Sequence, residues 1–73
     1  MRELLTEQDV ELLNIYAEYN MKVQPTAEAT HYNRRTIYRI LESIRRRVGY
    51  DPQEFRGLFM ILQTLEKEGA RGR

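Results

Sequence analysis

Residues 25–49 read PTAEATHYNRRTIYRILESIRRRVG, and they contain the start and stop signals of two consecutive helices. Pro25 suits the first position of a helix, and it pushes Gln24 toward the extended conformation of a cap. The first of the two helices is therefore predicted to be only two turns long and to end at Thr30. Its two alanines leave room for another helix to approach closely.

A longer helix is predicted after the three-residue break His31-Tyr32-Asn33. Asn33 is a good N-cap and Gly49 a good stop, so this helix should run from Arg34 to about Val48. Its apolar residues recur at the spacing of a core-facing stripe; they are Ile37, Ile40, Leu41, Ile44 and Val48. A short helix, a tight turn and a longer helix make the helix-turn-helix pattern.

Two further helices flank this pattern. The capping box that starts at Thr6 predicts a first helix running to about Tyr19, with Asn20 as a left-handed stop. Asp51-Pro52-Gln53-Glu54 predicts the start of a fourth helix, with Asp51 as cap, that ends at Gly69. Its expected buried residues are Phe55, Leu58, Phe59, Leu62 and Leu65. The expected fold is all-α, with a three-helix core, a helix-turn-helix motif and a fourth C-terminal packing helix. We expect a single domain over residues 1–69 and a flexible basic tail over 70–73.

The charge is concentrated on the longer helix. Residues 1–31 carry six acids and two bases, residues 32–49 one acid and six arginines, and residues 50–73 four of each. The local net charges are therefore −4, +5 and 0. A strongly basic helix suits a polyanion such as nucleic acid. The alternative is a solvated helix face on which Glu42 pairs with Arg39 and Arg46.

Composition narrows the remaining classes. The chain has 73 residues, no cysteine and a single histidine, His31, so neither a disulfide nor a zinc site is expected. No nucleophile or paired carboxylates form a recognisable catalytic pattern, so we expect no enzyme, no cofactor, no metal and no small-molecule ligand. The acidic segment 1–13 resembles neither a signal peptide nor a membrane span, which favours a cytoplasmic protein.

From Leu12 to Leu62 the chain resembles the PucR (purine-catabolism regulator) type of C-terminal helix-turn-helix, which also occurs in short stand-alone proteins, several of them from prophages. The matching residues are Asn20-Met21-x-Val23, Thr26-Ala27-Glu28-Ala29, Arg34-x-Thr36-Ile37, Leu41, Ile44 and Gly49-Tyr50-Asp51-Pro52. The chain departs from the pattern at Asn33, Arg35 and Thr30, where His, Asn and Leu are usual. The pattern's Tyr-Arg pair also falls one position later than Tyr38-Arg39. No target sequence can therefore be carried over.

The stretch Asn33-Arg34-x-Thr36-Ile37-x-x-x-Leu41 also resembles the DNA-binding helix of the Fis family. That resemblance implies that Asn33 and Arg34 lie near base edges and that Thr36 and Arg39 contact phosphates. The position of these residues in the motif agrees in part with the implied roles, because the N-terminal residues of the second helix meet bases in the major groove. The predicted base contacts are Asn33, Arg34, Arg35 and Tyr38. The predicted phosphate contacts are Thr36, Arg39, Tyr32, Arg45 and Arg46.

These patterns favour sequence-specific binding of double-stranded DNA by a small bacterial or prophage transcriptional regulator. The alternative is a protein-interaction module whose basic helix docks on an acidic partner, and RNA binding is a third possibility. A homodimer on two half-sites is expected, because single helix-turn-helix units generally gain affinity by pairing. Met60 and Ile61 lie outside the predicted stripe of the fourth helix. They are either core-edge residues or, as we favour, the dimer contact.

Overall fold

The computed structural model describes residues 1–71, and within them the regular structure is helical. A 3₁₀ turn at Arg2–Leu4 precedes α1 (Glu7–Glu18), α2 (Val23–Thr30), α3 (Arg34–Val48) and α4 (Phe55–Arg71). Helix α1 packs on α2 and α4, and α2 packs on α3. The all-α prediction with a helix-turn-helix is confirmed, and the basic helix has the predicted ends.

The core is made by three residues from each of the longer helices and by the alanine-bearing face of α2. Its members are Leu12, Leu13, Tyr16, Ala27, Ile37, Leu41, Ile44, Leu58, Ile61 and Leu65. The predicted stripe of α3 is confirmed, with Ile40 and Val48 at its edge. Burial of this stripe fixes which side of α3 faces outward, and so positions its arginines.

Two threonines in α2 have hydroxyl groups that are hydrogen-bonded to the helix backbone. Thr26 is fully buried, and its hydroxyl donates to the carbonyl of Lys22 at 2.7 Å. Thr30 donates in the same way to the carbonyl of Thr26 at 2.8 Å. Because each hydroxyl bonds to the preceding turn, Thr30 can occupy the place of the usual leucine without an unsatisfied polar group.

The start of α1 follows the predicted capping box. The Thr6 hydroxyl accepts from the Asp9 amide at 3.0 Å, and the Asp9 carboxylate accepts from the Thr6 amide at 3.0 Å. Past the end of this helix, Asn20 and Met21 both have positive φ, 56° and 65°. The predicted left-handed stop is therefore confirmed, and it extends over one residue more than expected.

The predicted start of α2 is wrong by two residues. The helix begins at Val23 with Lys22 as N-cap, and no side chain among the described residues caps it. Pro25 thus occupies the third helical position, not the first. This is tolerated because the first-turn amides of a helix have no intrahelical acceptor, so the missing N–H of proline costs no hydrogen bond.

The predicted start of α4 is wrong by several residues, because residues 51–54 form a turn. The Asp51 carboxylate accepts from the Gln53 amide at 2.9 Å, and its carbonyl accepts from the Glu54 amide at 3.1 Å. The first helical bond then runs from the Leu58 amide to the Glu54 carbonyl. A Cβ on Gly57 would lie 2.0 Å from the Asp51 carbonyl oxygen, so only glycine lets the turn lie so close to the helix.

The predicted buried face of α4 is also wrong in part. Ile61 is 0% exposed in the core, whereas Phe55 is 76% exposed and Phe59 51%. The contact of Gly57 with the 51–54 turn holds that side of the helix inward and leaves the two rings outside. Gly69 does not end α4, which continues to Arg71. Residues 72–73 of the predicted tail lie outside the described residues.

Candidate nucleic-acid interface

The orientation of α3 is fixed at both of its ends by local backbone signals. His31 adopts the left-handed conformation (φ 64°) after α2 and turns the chain toward α3. The Asn33 side chain accepts from the Thr36 amide at 2.8 Å, and Gly49 (φ 84°) donates its amide to the Arg45 carbonyl at 2.9 Å. These contacts confirm the predicted cap and stop.

The outward side of the first half of α3 is basic. Arg34, Arg35 and Arg39 are exposed, and Tyr38 is 43% exposed. The exposed Arg46 extends this side toward the C-terminal end of the helix. We refer to these five residues as the basic front. The structure therefore brings three of the predicted base-contacting side chains together on one surface.

Asn33 is limited by its role as a cap. Its side-chain oxygen accepts from the Thr36 amide, which uses one lone pair of that oxygen and fixes the orientation of the side chain. The two-bond contact of asparagine with adenine needs both the oxygen and the nitrogen. Within this capped turn the orientation of the Asn33 side chain is set by the cap, so a contact with a base must fit that orientation.

The predicted phosphate contacts Tyr32 and Thr36 lie beside the basic front and are partly buried. Tyr32 lines a polar cavity between α1 and the turn, together with Gln8, Glu11 and His31. Both residues therefore present only part of their side chains to a ligand at the start of α3.

Arg45 is engaged with an acid on its own helix. Its guanidinium donates through Nε to both oxygens of Glu42, at 2.9 and 3.1 Å, and through Nη2 to Oε1. The hydrogen bond from Arg45 lowers the pKa of Glu42 below its ordinary value and, reciprocally, raises the pKa of the arginine. The two predicted partners of Glu42, Arg39 and Arg46, are wrong, because its carboxylate is paired with Arg45.

Arg47 faces away from the basic front, toward the start of α1. Its Nη1 donates to the Leu4 carbonyl at 2.7 Å and to the Asp9 carboxylate at 2.9 Å, and its Nε donates to the Ser43 carbonyl at 3.3 Å. Burial by itself would raise the pKa of Asp9, but hydrogen bonds from the Thr6 amide and Arg47 outweigh it and lower the pKa. Charge counting along the sequence did not separate this arginine from its neighbours.

The tyrosines divide by burial and do not form a stacking surface. Tyr16 is in the core, and its burial, with smaller contributions from Tyr38 and Asp51, raises its pKa. Tyr19 and Tyr50 are exposed outside α3. Only Tyr38 lies on the basic front.

The family model of the PucR C-terminal helix-turn-helix domain matches residues 10–66 of the chain. This is more than half of the sequence and includes all of α2 and α3. The chain belongs to the PucR C-terminal helix-turn-helix domain family. The predicted family is thus confirmed, and the PucR-type assignment identifies a DNA-binding helix-turn-helix, a class of domain that is typically non-enzymatic.

A search of curated proteins finds no match to this chain, and a search of solved structures finds none either. In the part of the chain that the structure describes, none of the helices combines the length and the apolar character needed to cross a membrane. Over the same residues, His, Asp and Glu side chains do not gather in a group of three that could hold a metal ion.

Proposed function

We propose that the chain is a sequence-specific binder of double-stranded DNA and acts as a small bacterial or prophage transcriptional regulator. The observation that carries this proposal is the basic front of α3, which is exposed directly after an asparagine-capped turn. In this motif the second helix lies in the major groove and its first residues meet base edges. The positive end of the helix dipole also favours phosphate there.

The base-reading roles go to Arg34, Arg35 and Tyr38, with Asn33 contributing from the fixed orientation of its cap. An arginine at a helix start can bond both acceptors of guanine, which discriminates by about 1–3 kcal/mol. Tyr38 is 43% exposed, so its side chain is available to a thymine methyl or a phosphate. These assignments follow from exposure on one side of one helix, beside the cap.

The phosphate roles go to Thr36, Arg39, Tyr32 and Arg46, which lie around or beyond the base-reading group. Arg45 contributes less, because the Glu42 carboxylate already neutralises it. Phosphate contacts orient the protein on the duplex without choosing the sequence. We further propose that the protein binds as a homodimer, with half-sites about 34–36 Å apart.

The test is binding to duplexes selected from a random pool, followed from low to high salt by fluorescence anisotropy. Neutralising about four to six phosphates per chain predicts a logarithmic salt slope of roughly −4 to −5 per chain, by counterion release. Absence of binding to any selected duplex at low salt would sink the DNA proposal. Tighter binding to single-stranded RNA or to an acidic peptide would favour those ligands instead.

A further inference from the structure

An apolar groove lies between the end of α1 and the first half of α4. Phe55 and Phe59 are exposed on its rim, and their rings lie 6.3 Å apart in a stacked arrangement with an interplanar angle of 27°. Ala17, Met21 and Leu62 line the groove beside them, around a cavity of about 320 Å³. Its lining is therefore mostly apolar.

The two rings cannot be covered by the domain itself. The adjacent side of α4 already supplies Leu58, Ile61 and Leu65 to the core, so turning the helix to bury the rings would expose core residues instead. A phenylalanine buries about 150–250 Å², so the exposed parts of the two rings amount to roughly 250 Å² per chain. That is about a third of the ~800 Å² that each partner buries in a standard interface.

The charges along α4 indicate which partner fits. Arg56 is exposed near its start, and Glu66 is exposed ten residues later, one turn past Leu62. If two copies of α4 pack antiparallel with Phe59 opposite Leu62 of the second copy, each Arg56 lies within one residue of the position opposite Glu66 of the other chain. In a parallel pair the same residues would meet their own copies, and the like charges would repel.

We propose that this groove is the homodimer interface and that a second copy of the chain packs its α4 antiparallel across Phe55 and Phe59. This inference rests on the homodimer of the proposed function and identifies which surface of the chain forms its interface. It replaces the Met60 and Ile61 contact expected from the sequence, because Ile61 is buried in the core. A twofold interface must be self-complementary, and the antiparallel arrangement meets that condition.

The first test is sedimentation equilibrium of the full chain without DNA. The wild type is expected to dimerise in the micromolar range, and Phe59→Glu to raise the dissociation constant by about 100-fold, as for a central interface residue. The matched control is Leu4→Glu, which adds the same charge at a side chain that is 44% exposed and lies outside the groove. It should change the constant less than about twofold, as expected for a residue outside the interface. Circular dichroism melts of both variants would check that each is folded.

A charge exchange tests the antiparallel arrangement without removing a ring. Arg56→Glu and Glu66→Arg should each weaken the dimer by about fivefold, and the double variant should recover wild-type association. The two residues are about 15 Å apart along one helix, so recovery cannot come from a contact within the chain. Singles that weaken the dimer without recovery in the double variant would overturn the antiparallel packing.

The DNA proposal and the interface fail separately. A wild-type chain that stays monomeric at hundreds of micromolar would overturn the interface, even if it binds its selected duplex. A chain that dimerises through Phe59 but binds no duplex would retain the interface and overturn the DNA proposal. A Phe59→Glu variant that still dimerises would show that the interface lies elsewhere.

Discussion

Arg34 and Arg46 are both exposed on α3, but they lie about 18 Å apart along its axis and about 120° apart around it, at 1.5 Å and 100° per residue. Because more than three helical turns separate the two residues, their guanidiniums are expected to meet different parts of a bound duplex. In the proposed complex Arg34 follows the cap directly, where the helix enters the groove. Arg46 lies near the opposite end, where the phosphate backbone is the available partner.

Replacing each arginine by alanine should separate the two roles. We expect Arg34→Ala to reduce the preference for a selected site over random DNA by about tenfold. Arg46→Ala should weaken binding to both DNAs equally and reduce the magnitude of the salt slope by about one. Arg45→Ala is the matched control, and its effect on the slope should be smaller because Glu42 already compensates this charge. Identical effects of Arg34→Ala and Arg46→Ala would contradict the division of roles.

At the scale of the element, the start of α4 depends on one glycine. Gly57→Ala adds a methyl group that would lie 2.0 Å from the Asp51 carbonyl oxygen, so the 51–54 turn must move away from the helix. Alanine gains up to about 1 kcal/mol of helix propensity, and overpacking typically costs 1–3 kcal/mol. We expect a net loss of about 1–2 kcal/mol in the free energy of unfolding, measured by urea denaturation.

Gly69→Ala provides the control within the same helix. There the added Cβ would approach only the tip of the Arg2 side chain, at 3.2 Å, which is flexible and can move. This variant should be as stable as the wild type or more stable by up to about 1 kcal/mol. Equal destabilisation by both substitutions would mean that the turn contact does not control the start of α4.

The same helix shows what sequence patterns could and could not predict. Local signals were sufficient at Thr6, Asn33 and Gly49, because a cap or a left-handed stop depends only on nearby atoms. They failed at Asp51, because the choice between capping a helix and closing a turn depends on the close approach of its carbonyl to Gly57, six residues further on. The exposure of Phe55 follows from that contact, so periodicity alone assigned it to the core.

The basic front shows the same division. Its helix and its outward arginines could be predicted, because a regular apolar stripe fixes the side of α3 that faces the core. The partners of individual charges could not, since Arg47 bonds to Asp9, which lies 38 positions away in the chain. The six arginines of α3 carry the same formal charge but have different partners. Four belong to the basic front, Arg45 pairs with Glu42 on the helix surface, and Arg47 makes a tertiary contact with Asp9.

At the scale of the whole molecule, Arg47 joins the end of α3 to the start of α1. Its guanidinium bonds to the Leu4 carbonyl and to Asp9, the residue that also closes the capping box with Thr6. These two helix ends are also connected through α2 and the shared core. The contact therefore couples the orientation of the basic front to the N-terminal end of the domain, and it depends on an ionised Asp9.

Because the pKa of Asp9 is lower in the folded chain, its carboxylate stabilises the fold above the ordinary value near pH 4. That contribution is lost as the pH falls through the lower, folded value. Asp9→Asn should therefore reduce the free energy of unfolding by about 1–3 kcal/mol at pH 7, as expected for a hydrogen bond to a charged group. In urea denaturation the difference in unfolding free energy between this variant and the wild type should close below about pH 4.

Glu42→Gln is the control and should change stability little at pH 7, because the pair with Arg45 is on the surface. An Asp9→Asn deficit that stays constant from pH 7 to pH 3 would show that shape and capping, not the charge on Asp9, hold these helix ends together.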